Sequence, residues 1–157
     1  MSVEKNRYVN SMRLCLPALS VNEGVARSAV AAFCSLCDPT VTELADVKCA
    51  VSEAVTNCIV HAYRETDGEI YITVRLLREG GVRISIRDRG CGIPDIRRAR
   101  EPLYTTDAVG ERSGMGFAVM ESFMDKLAVY SRVGRGTLIV LTKYIGRPRE
   151  AETMRGE

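Results

Sequence analysis

Ile70–Gly92 reads IYITVRLLREGGVRISIRDRGCG. Ile70, Ile72, Val74 and Leu76 alternate with Tyr71, Thr73 and Arg75; after Glu79-Gly80-Gly81 the same period of two returns at Val82, Ile84 and Ile86. A period of two sends alternate side chains to opposite faces, so the stretch predicts a half-buried β-hairpin. Its second strand runs straight into Asp88-Arg89-Gly90-Cys91-Gly92-Ile93-Pro94, which no regular element tolerates well. A buried strand therefore ends on a carboxylate, with glycines that let a ligand approach the backbone closely.

Upstream, Val41 to about Ala62 carries Leu44, Val47, Val51, Ala54, Val55, Cys58 and Ile59 at helical spacing. Thr40-x-x-Glu43 after Asp38-Pro39 is a capping box for this helix, and Ser20-x-x-Glu23 is one for an earlier helix containing Val25, Ala29, Ala32, Phe33 and Leu36. Met12, Leu14 and Leu16 alternate ahead of Pro17 as a first strand. Downstream, a short helix is expected near Asp95–Arg100, and Pro102–Ser113 lacks periodicity. A helix follows over Phe117–Met124, then strands over Lys126–Arg132 and Thr137–Tyr144. Helices gather early and hairpins late. The expectation is an α+β two-layer sandwich, a mixed and mostly antiparallel sheet with helices on one face. Residues 1–145 read as one domain, and 146–157 as a charged tail that frays.

The 157 residues are 46% hydrophobic, enough for a core and too many for a disordered chain. Basic and acidic residues number 22 and 20, a net +2 too balanced to make nucleic acid the main partner. The run Arg87, Arg89, Arg97, Arg98, Arg100 contains Asp88 and Asp95 and lacks interleaved aromatics, so no direct nucleic-acid contact is expected from it. No stretch reaches the roughly 18 apolar residues of a membrane span, and Met1–Arg13 has no apolar leader core, so a cytoplasmic protein with no membrane contact is expected. Six cysteines include one C-x-x-C, Cys34/Cys37, without the second pair that a zinc site wants; Cys34, Cys49 and Cys58 lie among Ala, Val and Phe and read as small packed hydrophobes.

Glu53, Asn57 and His61 stand four residues apart on the long helix and form one polar stripe drifting about 40° per step. Gly114 and Gly116 open the helix over Phe117–Met124, and a helix N-terminus offers free N–H groups that suit phosphate. No G-K-[ST] completes a Walker loop. Each signal is weak alone. Together they suit the binding of a nucleotide. A carboxylate and an amide can hold water and Mg²⁺, a strand-end carboxylate can accept from the amino group of a base, and a segment ending in glycines can close over phosphates.

Glu53-x-x-x-Asn57-x-x-x-His61, Asp88-x-Gly90-x-Gly92 and Gly114-x-Gly116 resemble the three motif boxes of the ATPase superfamily shared by gyrase, Hsp90-type chaperones, histidine kinases and MutL. The stretches VSEAVTN (51–57), IRDRGCGI (86–93), EPLYTT (101–106) and ERSGMGFAVMESFMD (111–125) are similar to one branch, the anti-sigma F factors of spore-forming bacteria. The resemblance spans about Met12 to Lys143. It implies the histidine-kinase-like (Bergerat) fold and ATP or ADP with Mg²⁺. It also implies a serine kinase acting on an anti-anti-sigma protein, inhibition of a sigma F-like sigma factor, and a homodimer. Glu53 becomes the base, Asn57 the Mg²⁺ ligand, and Asp88 the adenine acceptor, with Gly90 and Gly92 shaping its pocket. The segment Thr105–Ser113, with Thr106, becomes the ATP lid. Gly114, Met115 and Gly116 bring N–H groups to the phosphates, Arg112 approaches the γ-phosphate, and Thr137 lies beneath adenine. His61 reads as structural. Arg27, with Glu23, is the expected sigma contact on the first helix. A nucleotide-dependent sigma-binding module without catalysis is the alternative; an intact Glu53 speaks against it. Ala62 stands where family chains often have glycine, and Cys58 and Cys91 lie inside motif blocks whose chemistry needs neither.

Overall fold

The computed structural model describes residues 7–64, 66–102 and 116–146. Strand β1 (Tyr8–Pro17) leads to helix α1 (Asn22–Cys34) and, after a 3-10 turn at Ser35–Cys37, to α2 (Val41–Asn57). The hairpin β2 (Glu69–Leu77) and β3 (Val82–Arg87) follows, then α3 (Ile96–Ala99), α4 (Gly116–Phe123), β4 (Lys126–Arg132) and β5 (Gly136–Lys143).

The five strands form one sheet in the order β1-β2-β3-β5-β4. The sheet expected as mixed is antiparallel at all four pairings. Two helices, not one, separate β1 from β2, and they return the chain to the end it left: Ala18 N–H donates to the Gly68 carbonyl at 2.8 Å. β2 must then run against β1. Register places Met12, Val74, Ile84, Leu141 and Leu127 in one row across the sheet. This row faces α2, whose Val47, Ala50, Val51, Ala54 and Val55 are buried. Each fully buried Val or Ile contributes about 1.5–3 kcal/mol, so the α2–sheet layer is the main source of stability.

Thr40 and Glu43 form the expected reciprocal capping box on α2. The box expected at Ser20 does not form. Val21 occupies the cap position of α1 without a side-chain bond, and Glu23 is instead drawn to Arg27 and to the Ser52 hydroxyl of α2. The long helix also departs from its reading: regular α geometry stops at Asn57, and Cys58–Ala62 is wound as a π turn. Tyr63 N–H closes this turn on the Cys58 carbonyl, five residues back, at 3.1 Å.

Candidate nucleotide site

Glu53 and Asn57 lie one turn apart on α2, both half-buried, and face the first residue of α4. A Cβ placed on Gly116 would lie 3.2 Å from Glu53 Oε2 and 3.4 Å from Asn57 Oδ1. Glycine there lets a carboxylate, an amide and a helix N-terminus converge with no side chain between them. That convergence suits an anion at the backbone N–H groups and a hard cation between it and the side-chain oxygens. A buried ion pair fixes the far end of α4. Lys143 of β5 donates to the Phe123 carbonyl at 2.7 Å and to Asp46 Oδ2 of α2 at 3.1 Å. Lys143 thus clamps α4 to α2 eleven residues ahead of Asn57.

Asp88 sits at the end of β3, 4% exposed. Its Oδ1 accepts from Gly90 N–H at 2.9 Å and from Thr137 N–H at 3.2 Å. The buried Cys58 thiol also donates to the carboxylate. Burial pushes the Asp88 carboxyl above the usual aspartate range, and the two backbone N–H groups and the thiol pull it part of the way back. The carboxylate is therefore a fixed acceptor with limited capacity left for a ligand. The turn after it is tight. Gly92 has φ 75°, and a Cβ there would meet the Arg132 carbonyl at 2.3 Å. A Cβ on Gly90 would meet the Ala62 carbonyl at 2.4 Å and the Ala62 methyl at 2.7 Å. Gly90 thus makes room for the side chain that Ala62 adds. The π turn leaves the Ala62 carbonyl to accept Cys91 N–H at 3.0 Å, joining the end of α2 to the glycine turn.

The structure brings Glu53, Asn57, Asp88, Gly90, Gly92, Gly116 and Thr137 into one region. Thr137 is buried on β5 beside Asp88, its hydroxyl 2.8 Å from Ser131 Oγ. His61 falls within the π turn Cys58–Ala62, beyond the regular α-helix that carries Glu53 and Asn57. Thr105, Thr106, Arg112, Ser113, Gly114 and Met115 lie outside the described residues. Glu23 and Arg27 pair at 3.1 Å on α1, and Ser52, next to Glu53, donates to the same Glu23 carboxylate.

Three supports of the site escape a reading of the sequence. Tyr63 donates to the Glu69 carbonyl at 2.6 Å and accepts Arg89 N–H at 2.8 Å, tying the π turn to β2 and to the glycine turn. Ser131 accepts Ile93 N–H at 2.8 Å and so holds the other end of that turn. Cys58 packs under Asp88. These contacts join residues distant in sequence; only the position of Cys58 beside Asn57 hints at one.

The profile of the histidine kinase-like ATPase domain matches residues 16–143. The anti-sigma F factor of Caldanaerobacter subterraneus subsp. tengcongensis is 51% identical over 90% of this chain and 99% of its own length. That of Geobacillus kaustophilus is 48% identical over 89% and 96%. Among solved structures, the RsbU and RsbW domains of a Mycobacterium tuberculosis protein superpose with TM-score 0.65 at 22% identity, covering 89% of this chain and 34% of that one. The mycobacterial sensor histidine kinase MprB superposes at 0.54 and 17% identity, over 87% and 99%. These two likenesses concern the fold. A polar seam on α2, a carboxylate at the end of β3 and a glycine at the start of α4 thus occupy a histidine kinase-like ATPase scaffold, and this chain belongs to that family and, within it, to the anti-sigma F factors.

Proposed function

We propose that the chain binds ATP or ADP with Mg²⁺, transfers the γ-phosphoryl group to a serine of an anti-anti-sigma protein, and holds a sigma F-like sigma factor, as a homodimer in the cytoplasm. One observation carries the catalytic part: Glu53 and Asn57 meet the side-chain-free start of α4. Asn57 supplies an oxygen of the kind Mg²⁺ prefers, and the ion keeps waters and phosphates as its other ligands. Bound Mg²⁺ would neutralise phosphate charge. Glu53 lies one turn from Asn57, placed to take the proton of an attacking serine hydroxyl, either directly or through one water. Asp88 accepts from the adenine amino group, with Thr137 beside it. Arg112, Thr105, Thr106, Ser113, Gly114 and Met115 carry the lid and phosphate contacts that the resemblance assigns. Arg27 and Glu23 present the sigma contact on α1. The reading without catalysis leaves Glu53 without a role.

The chain is mixed with γ-labelled ATP, Mg²⁺ and a candidate anti-anti-sigma protein, and a parallel sample containing a sporulation sigma factor is sized by light scattering with ADP or ATP. The reading expects label on serine and a sigma complex whose mass contains two copies of the chain. A sigma complex without any label on serine would support the binding module instead. No helix among the described residues is long and apolar enough to cross a membrane.

A further inference from the structure

The face of the sheet turned away from the helices carries Arg13 on β1, Arg75 on β2, and Arg83 and Arg87 on β3, with Arg89 just beyond. Arg75 and Arg83 are direct partners across β2 and β3. Like charges opposite one another weaken a strand pair, and a carboxylate between them would relieve this. Instead both guanidinium groups donate to one neutral oxygen, the Tyr8 hydroxyl, at 3.4 and 3.2 Å, and Arg75 stacks 4.7 Å over the Tyr8 ring. Arg89 lies 4.9 Å over Tyr71. None of these five arginines forms an ion pair with a described residue. Among the described residues, Glu69 at the start of β2 accepts from the Tyr71 hydroxyl at 2.9 Å.

We propose that this face docks an extended acidic polypeptide segment of a protein partner. Guanidinium groups ordered on tyrosines, with no carboxylate of a described residue on them, keep further N–H donors for a ligand, and carboxylates match such forks in two-point contacts. Successive rows of the sheet carry Arg75 with Arg83, then Arg13, then Arg87. Rows two residues apart are separated by about 7 Å, the spacing of alternate side chains on an extended peptide. Single-stranded nucleic acid stacks its bases on open aromatic faces; guanidinium groups cover Tyr8 and Tyr71 here, which leaves the exposed Tyr130 of β4 as a lone ring on this face rather than a series of stacking platforms. A two-fold contact with a second copy would set this positive face against itself.

The test is fluorescence anisotropy of a labelled dodecapeptide of alternating glutamate and serine, at low and physiological salt, with the full chain. Arg75→Ser/Arg83→Ser should weaken binding about tenfold. Arg97→Ser/Arg98→Ser, which removes the same charge on α3, should change it less than about twofold. Melting should show Arg75→Ser/Arg83→Ser no less stable than the parent, since a repulsion has been removed. Arg75→Lys/Arg83→Lys keeps charge without the fork and should bind between the two. The proposal fails if the parent does not bind the peptide, if both double serine variants lose affinity equally, or if an oligothymidylate of equal charge binds more tightly.

Discussion

At Asp88 the proposed adenine contact and the stability of the fold pull in opposite directions. Burial raises its carboxyl affinity for a proton, so the folded chain binds that proton more tightly than the unfolded chain does. The sign follows: as pH rises from the usual aspartate range through the raised value, Asp88 makes a growing unfavourable contribution, which disappears on acidification. Asp88→Asn should therefore melt at or above the parent temperature at neutral pH, while ADP affinity falls about tenfold for the lost buried acceptor. Calorimetric titration with ADP on lowering the pH should show parent affinity falling before ordinary aspartates protonate; a flat profile would contradict the assignment. Asp88, Gly90 and Gly92 are legible in the sequence because an alternating strand ends there on a pattern that only a turn accepts. Cys58, Tyr63 and Ser131 are not, since their partners Asp88, Arg89 and Ile93 are distant along the chain.

At the level of elements, two identical capping signals have opposite outcomes. Thr40 and Glu43 cap α2 reciprocally, whereas Ser20 and Glu23 do not cap α1, because Glu23 gains Arg27 and Ser52 as partners. Local pattern specifies both boxes; a contact between α1 and α2 overrides one. Thr40→Ala should accordingly cost about 1 kcal/mol and Ser20→Ala less than about 0.5 kcal/mol, read by denaturant unfolding. The π turn escapes the periodicity for a related reason: α and π windings bury nearly the same apolar residues, and the choice here lies with Tyr63 and the glycine turn. In the strand pattern Lys143 is one more polar residue near the end of β5. In the fold it is 3% exposed and joins β5 to α2 and α4. Lys143→Met should cost about 3 kcal/mol, lowering the melting temperature by about 6–12 °C. It should also raise the KM for ATP, because α4, released from α2 at its far end, no longer fixes its start beside Glu53 and Asn57.

For the whole molecule, strand alternation and helix periods are enough for the two-layer architecture, but not for the order β1-β2-β3-β5-β4. That order inserts β5 beside β3 and so sets Thr137 next to Asp88, 49 residues away. No local pattern encodes this neighbour. Motif resemblance supplies it instead, which is why the site is more legible than the topology that assembles it. α2 is the hub: it packs on α1, on the sheet and on α4, so the proposed sigma contact on α1 and the proposed phosphate side of α4 share one rigid element. The central claim is that this hub carries a kinase base. It is tested most directly by single-turnover transfer of labelled phosphate from ATP to serine of the anti-anti-sigma protein, comparing the parent with Glu53→Ala at matched nucleotide occupancy. A general base contributes about 10²–10⁴-fold, so transfer should fall by at least about a hundredfold while ADP still binds; transfer at the parent rate would contradict the role given to Glu53.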